Sequence, residues 1–172
     1  KERTVVINGV SKAYSMTGWR IGYAAAETPV AKAMANLQSH STSNPTSIAQ
    51  EACVVALNGD QSVLKQMMEE YARRRNVMIE RLTGIPGVTC IKPGGSFYAF
   101  PNVSAYFGKS YKGRLINSAT DLAALLLKEV HVAVVPGVAF GNDNHFRLSY
   151  VCSLEKINEG LDRISEFLEK LK

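Results

Sequence analysis

Apolar positions along this chain follow two different periods. Residues 4–8 and 21–26 are short runs rich in Val, Ile and Ala, bounded by Gly, Ser and Thr. They predict two strands around a polar loop. Asn8-Gly9 on its own is a hairpin signal. Too few strand-like residues follow before the loop, so no tight turn is expected there. From Glu27-Thr28-Pro29 the period changes. Pro29 suits a first helical turn, and Val30, Met34 and Leu37 give a helical stripe to about His40. The polar stretch 40–45 breaks it. A second helix starts at Thr46 or Ser47, carries Ile48, Cys53, Val54 and Leu57, and ends at Asn58-Gly59.

Residues 60–82 predict the longest helix. Its stripe is Leu64, Met67, Met68, Tyr71, Met78, Ile79 and Leu82, with Gly84 and Pro86-Gly87 to stop it. Short strands are expected at 88–90, 97–100 and 132–135. Ser118-Ala119-Thr120-Asp121 reads as a capping box for a helix with Leu122, Leu125 and Leu126 inward. In residues 146–150, alternation puts Phe146, Leu148 and Tyr150 on one face and Arg147 and Ser149 on the other. Ser153 caps the last helix, whose stripe is Ile157, Leu161, Ile164, Leu168 and Leu171. The fold class is α/β, α+β-like in its larger part. Helices pack on a small, mostly antiparallel sheet, and a separate strand pair precedes them. A soft division is expected near residue 40, giving segments 1–40 and 41–172.

Composition narrows the class. The 172 residues are 46% hydrophobic and 20% charged, enough for a sizeable core. No stretch has transmembrane length and no signal-peptide pattern opens the chain. Cys53, Cys90 and Cys152 are odd in number and scattered, which fits reduced core thiols in a cytoplasmic protein. The three histidines lack metal-ligand spacing, and no metal site is expected. The net charge of +5 admits a nucleic-acid partner. Yet Arg73-Arg74-Arg75 lies within a strong helical pattern and reads as a solvated face, so none is expected.

The candidate chemistry lies in the first loop. Ser11, Lys12 and Arg20 fall between the two strands, where strand–loop–strand geometry can bring them to one point. A desolvated lysine becomes a nucleophile near neutral pH and forms Schiff bases with carbonyls. A hydroxyl and a guanidinium suit phosphate oxygens. An aldehyde and a phosphate on one small molecule describe pyridoxal phosphate (PLP). Taken alone, an isolated lysine is more often a solvated one.

The run Ser11-Lys12, five residues, then Gly18-Trp19-Arg20-Ile21-Gly22 resembles the cofactor-lysine signature of class I and II aminotransferases, PLP enzymes of fold type I. Two later segments resemble the same family. Pro93-Gly94-Gly95-Ser96-Phe97-Tyr98 is similar to its run along the substrate side. Val135-Pro136-Gly137, a polar loop and Phe146-Arg147-Leu148-Ser149 resemble its carboxylate-binding segment. The resemblance covers essentially the whole chain and leans toward bacterial enzymes acting on aspartate.

It implies a set of roles. Lys12 is the Schiff-base lysine and proton shuttle, Ser11 and Arg20 hold the cofactor phosphate, and Arg147 grips the substrate α-carboxylate. The implied reaction moves an amino group between an amino acid and a 2-oxo acid such as 2-oxoglutarate, in a homodimer. In this family the segment at 41–43 approaches the cofactor, often that of the partner subunit. The resemblance also implies that the chain is the C-terminal part of a longer enzyme. Residues 1–40 would close the cofactor-binding large domain and 41–172 would form the small domain. The family's aspartate for the pyridine nitrogen, its stacking ring and its asparagine–tyrosine pair would lie upstream. Little transamination is then expected of these 172 residues alone.

Donor choice stays open. Many aspartate enzymes carry an arginine just before the Asn-Pro pair, and here His40-Ser41-Thr42-Ser43 fills that place. Aromatic, kynurenine or alanine transamination, or a lyase reaction, are alternatives. So is a non-catalytic module used for packing or dimer contacts.

Overall fold

The computed structural model describes residues 2–172. Two compact units divide after Met67, within the third helix.

In the first unit, strand β1 (Val6–Gly9) pairs antiparallel with β2 (Gly22–Ala25), in a register from Val6↔Ala25 to Gly9↔Gly22. Asn8-Gly9 lies in the ladder, and no tight turn forms there. Gly9 is required by close approach, because a Cβ would sit 2.9 Å from the Ile21 carbonyl oxygen. Helix α1 (Thr28–Ser41) follows with Pro29 in its first turn. Helix α2 (Ser47–Asn58) starts after Thr46 and stops at Gly59.

The core of this unit is small. Val10, Ile21, Ala49 and Cys53 are buried, with Tyr14 and Met16 against them. Strands β1 and β2 bury little on either face, and Ile7 is 78% exposed. A two-stranded ribbon of this kind is marginal in water by itself. The stripe expected on α1 is present, but α1 buries no residue and Leu37 is 73% exposed.

Helix α3 (Ser62–Gly84) begins two residues later than expected, and Asp60 ahead of it accepts from the Ser62 amide at 3.0 Å. Met78, Ile79 and Leu82 are buried. Met68 is 70% exposed, which corrects its place in the stripe.

The second unit is built on the sheet order β3-β7-β6, from β3 (Tyr98–Ala99), β6 (Val135–Pro136) and β7 (Phe146–Ser149), all antiparallel. A separate hairpin, in residues 102–117 whose polar, glycine-containing sequence predicts loop, pairs β4 (Ser110–Tyr111) with β5 (Arg114–Leu115). Helix α4 (Ala119–Val130) packs on β6 and β7 and against α5 (Leu154–Glu169).

The caps follow the sequence. Ser118 accepts from the Asp121 amide, and the Asp121 carboxylate reaches back to the Asn117 amide at 3.0 Å. Ser153 accepts from the Lys156 amide. The α5 stripe is fully inward, from Ile157 to Leu171, with Phe167 added. It joins Leu82, Ile116, Leu122, Leu126, Phe146 and Tyr150 in one core.

Two strand expectations need correction. Residues 88–90 contribute only a bridge, Thr89↔Asn102. The strand expected at 132–135 starts at Val135, which is 37% exposed. The Val132 amide is held back, donating to the Leu126 carbonyl at 3.1 Å where α4 ends on a left-handed His131.

Candidate active site

The loop between β1 and β2 is set by the ladder beneath it. Beyond the last pair, Gly9↔Gly22, come Val10 and Ile21, both buried. Ser11 and Arg20 stand one residue further along each arm. Two apolar side chains thus anchor the neck and leave the polar ones at the rim.

Inside the loop, residues 17–19 form a single 3-10 turn. Arg20 ends it in the left-handed region at φ 57°, and Ser15 is left-handed at φ 54°. Such conformations cost roughly 1–3 kcal/mol for a non-glycine residue and gather at functional sites. The Arg20 guanidinium curls back, and Nη1 donates to the Thr17 carbonyl at 2.9 Å. Tyr14 reaches out of the loop, its hydroxyl donating to the Gln61 side chain at 3.1 Å.

Ser11 is half-buried, while Lys12 and Arg20 are exposed. The burial expected of Lys12 is therefore not supplied by these residues. From Val10 to Ala26 the chain has two cations and no carboxylate. A hydroxyl, an amine and a guanidinium on one acid-free loop fit a phosphorylated aldehyde by donor chemistry.

Arg147 belongs to the second unit. It lies on β7, paired with Val135 of β6. Phe146, Leu148 and Tyr150 face the core at 9% exposure or less, and Arg147 and Ser149 face the other way, half-buried. Tyr98 pairs with Ser149, so it shares a face with Arg147 as its diagonal neighbour. Its ring centre lies 4.1 Å from the guanidinium carbon. Phe140, at the end of the turn Gly137–Phe140, adds a second ring at 4.5 Å. Phe97 instead packs against the core. Of the two aromatic residues singled out in that run, Tyr98 is the one beside Arg147.

Phe140 was not legible as a site residue. It sits seven positions before Arg147, and only the turn between them folds it onto the guanidinium. Cys90 is half-buried and burial pushes its thiol up, the condition of an unreactive thiol. Cys152 is exposed, against the expectation of core thiols throughout.

Known proteins resemble this chain along nearly its whole length. The profile of aminotransferase class I and II matches residues 1–164. The aspartate aminotransferase of Bacillus subtilis is 48% identical over 170 residues, 99% of this chain and 42% of the relative. The chain thus spans well under half the length of such relatives. The crystal structure of the aspartate aminotransferase from Rhizobium meliloti superposes with a TM-score of 0.97 at 48% identity, covering 100% of this chain and 43% of that one. An aromatic aminotransferase from Pyrococcus horikoshii superposes at 0.87 with 35% identity, covering 98% of this chain and 43% of that one. With the family profile spanning nearly its full length, this chain belongs to the class I and II aminotransferases.

Proposed function

We propose that these residues serve PLP-dependent transamination in an enzyme of its relatives' full length, with aspartate as the amino donor and a 2-oxo acid such as 2-oxoglutarate as acceptor. The observation that carries the reading is the acid-free loop with Ser11, Lys12 and Arg20 closed over the Gly9↔Gly22 pair, in a member of this family.

In this reading Ser11 and Arg20 bind the cofactor phosphate by a hydroxyl and by charge-assisted N–H donors. Lys12 is the amine that holds the cofactor aldehyde. Once released, its Nζ would take the α-proton from the donor and deliver it to the former aldehyde carbon of the cofactor. Arg147 binds the α-carboxylate and fixes the orientation of the α-carbon. When bound, PLP supplies the electron sink for the charge left by proton removal.

Aspartate is favoured because the relatives at 48% identity carry that name. The segment 40–43 offers no arginine for a second carboxylate, so that determinant belongs to another part of the enzyme. Residues 1–40 as the close of a large domain, residues 41–172 as a small domain, homodimer assembly and a cytoplasmic location complete the reading. Among the described residues no helix is long and apolar enough to cross a membrane.

The test uses the full-length protein. Borohydride reduction with PLP should leave the cofactor mass on the Lys12 peptide. Lys12→Ala should abolish both that label and oxo-acid formation from aspartate. Label on another lysine, or undiminished turnover, would overturn the assignment. Turnover on an aromatic donor and none on aspartate would move the substrate class.

A further inference from the structure

Arg147 differs from the other arginines of its unit in how its donors are used. Arg73, Arg74, Arg81, Arg114 and Arg163 each pair with a carboxylate, and Arg75 donates to the Pro93 carbonyl at 3.2 Å. Among the described residues, Arg147 has no hydrogen bond and no ion pair. Its guanidinium instead lies over two rings, Tyr98 at 4.1 Å and Phe140 at 4.5 Å.

Both rings are themselves held. The Tyr98↔Ser149 pair fixes Tyr98 on β3. Phe140 meets Phe100 edge-on at 5.9 Å and 87°, and Phe100 stacks on His145 at 4.7 Å and 12°. The turn that carries Phe140 ends on Gly141 in the left-handed region, φ 79°.

A guanidinium over an aromatic face keeps its charge, and its N–H donors, which lie in the guanidinium plane, are not consumed. An ion pair with a neighbouring carboxylate would occupy those same donors. Ring contact also restricts the rotamers of a long side chain before any ligand arrives, so less ordering remains for the binding step. A half-buried arginine held by rings alone is therefore prepared for a planar, bidentate acceptor from outside.

We propose that Tyr98 and Phe140 are positioning residues for Arg147, setting the affinity for the substrate α-carboxylate by holding the guanidinium ready. This rests on the carboxylate-binding reading of Arg147. Neither ring touches the reacting atoms in this assignment. Removing either should weaken binding and leave the chemical step alone.

The experiment uses the full-length PLP-loaded enzyme. The probe is 2-methylaspartate, which carries the α-carboxylate and has no α-proton to lose. Phe140→Leu and Tyr98→Leu should each raise its Kd, and the KM for aspartate, roughly threefold to thirtyfold, with kcat nearly unchanged. Phe140→Tyr and Tyr98→Phe keep a ring and should restore wild-type affinity, which a role in packing polarity alone would not produce. If Arg147→Lys weakens the probe but the leucine variants do not, the positioning role is overturned and the carboxylate reading stands. If Arg147→Lys leaves the Kd unchanged, the carboxylate reading falls, and this inference with it. A fall in kcat at constant Kd in the leucine variants would also overturn it.

Discussion

The Gly137 amide donates to the His145 carbonyl at 2.7 Å, and the two backbones are in such close contact that no side chain fits between them. A Cβ on Gly137 would stand 2.3 Å from that oxygen and 2.1 Å from the Asn142 carbonyl oxygen. This contact folds the turn bearing Phe140 back onto the strand bearing Arg147. Gly137→Ala must push both apart. It should destabilise the chain by about 1–3 kcal/mol, the usual cost of overpacking. In the full-length enzyme it should also weaken carboxylate binding. Chemical denaturation and a Kd for 2-methylaspartate check the two effects separately; wild-type values for both would show that the turn relaxes freely.

Ser118 and Asp121 satisfy two amides at the start of α4, those of Asp121 and Asn117. Ser118→Ala removes one acceptor and should cost about 1 kcal/mol. Ser118→Asp retains an acceptor beside the helix N-terminus and should recover much of it. Urea midpoints with an unchanged slope are the measurement.

Glu70 accepts from Arg73 Nε at 2.8 Å and from Arg74 Nε at 2.7 Å. The hydrogen bond from Arg73, then that from Arg74, holds its carboxyl down at about 2. An unfolded glutamate titrates near ~4.3. The folded value is the lower one, so the folded state favours the ionised carboxylate. That contribution is complete above the unfolded value and is lost as pH falls toward about 2. Because the group is exposed, the effect on stability is small. The difference in thermal midpoint between wild type and Glu70→Gln should be constant above pH ~5 and shrink steadily below it. A difference that grows on acidification would show the pair to be unfavourable.

The sequence was most readable where the cause is local. Ser118 and Ser153 place helix starts because each hydroxyl accepts an amide within the first turn, Pro29 marks the first turn of α1 by its fixed φ, and the α5 stripe is buried because its period is regular over four turns. The strands were less readable. Nothing in 132–134 announces that the Val132 amide is spent on the end of α4. Periodicity also cannot say what a stripe faces. Val30, Met34 and Leu37 have helical spacing, yet α1 buries none of them within these residues. The first-loop motif and Arg147 were visible as residue types at fixed spacing. The exposure of Lys12 and the approach of Phe140 to Arg147 depend on tertiary placement, which spacing does not encode.

The 172 residues alone should be a poor catalyst. Lys12 is exposed here, so the enclosure of its amine that the proposed chemistry calls for is left to other parts of an enzyme. The family resemblance assigns the partners of the cofactor ring to other parts of an enzyme. The relatives are more than twice as long, with the match covering 42% of one of them. Typical enzymes turn over at about 10 per second. With PLP and aspartate added to the isolated chain, oxo-acid formation should stay below about 0.01 per second, a loss of at least ~4 kcal/mol in transition-state stabilisation. A coupled dehydrogenase assay reads the oxo acid directly, and circular dichroism shows whether the chain is folded in the same sample. Turnover near ordinary enzyme rates from a folded chain would mean that Lys12 and Arg147 suffice. The chemistry would then belong to this chain and not to a longer protein.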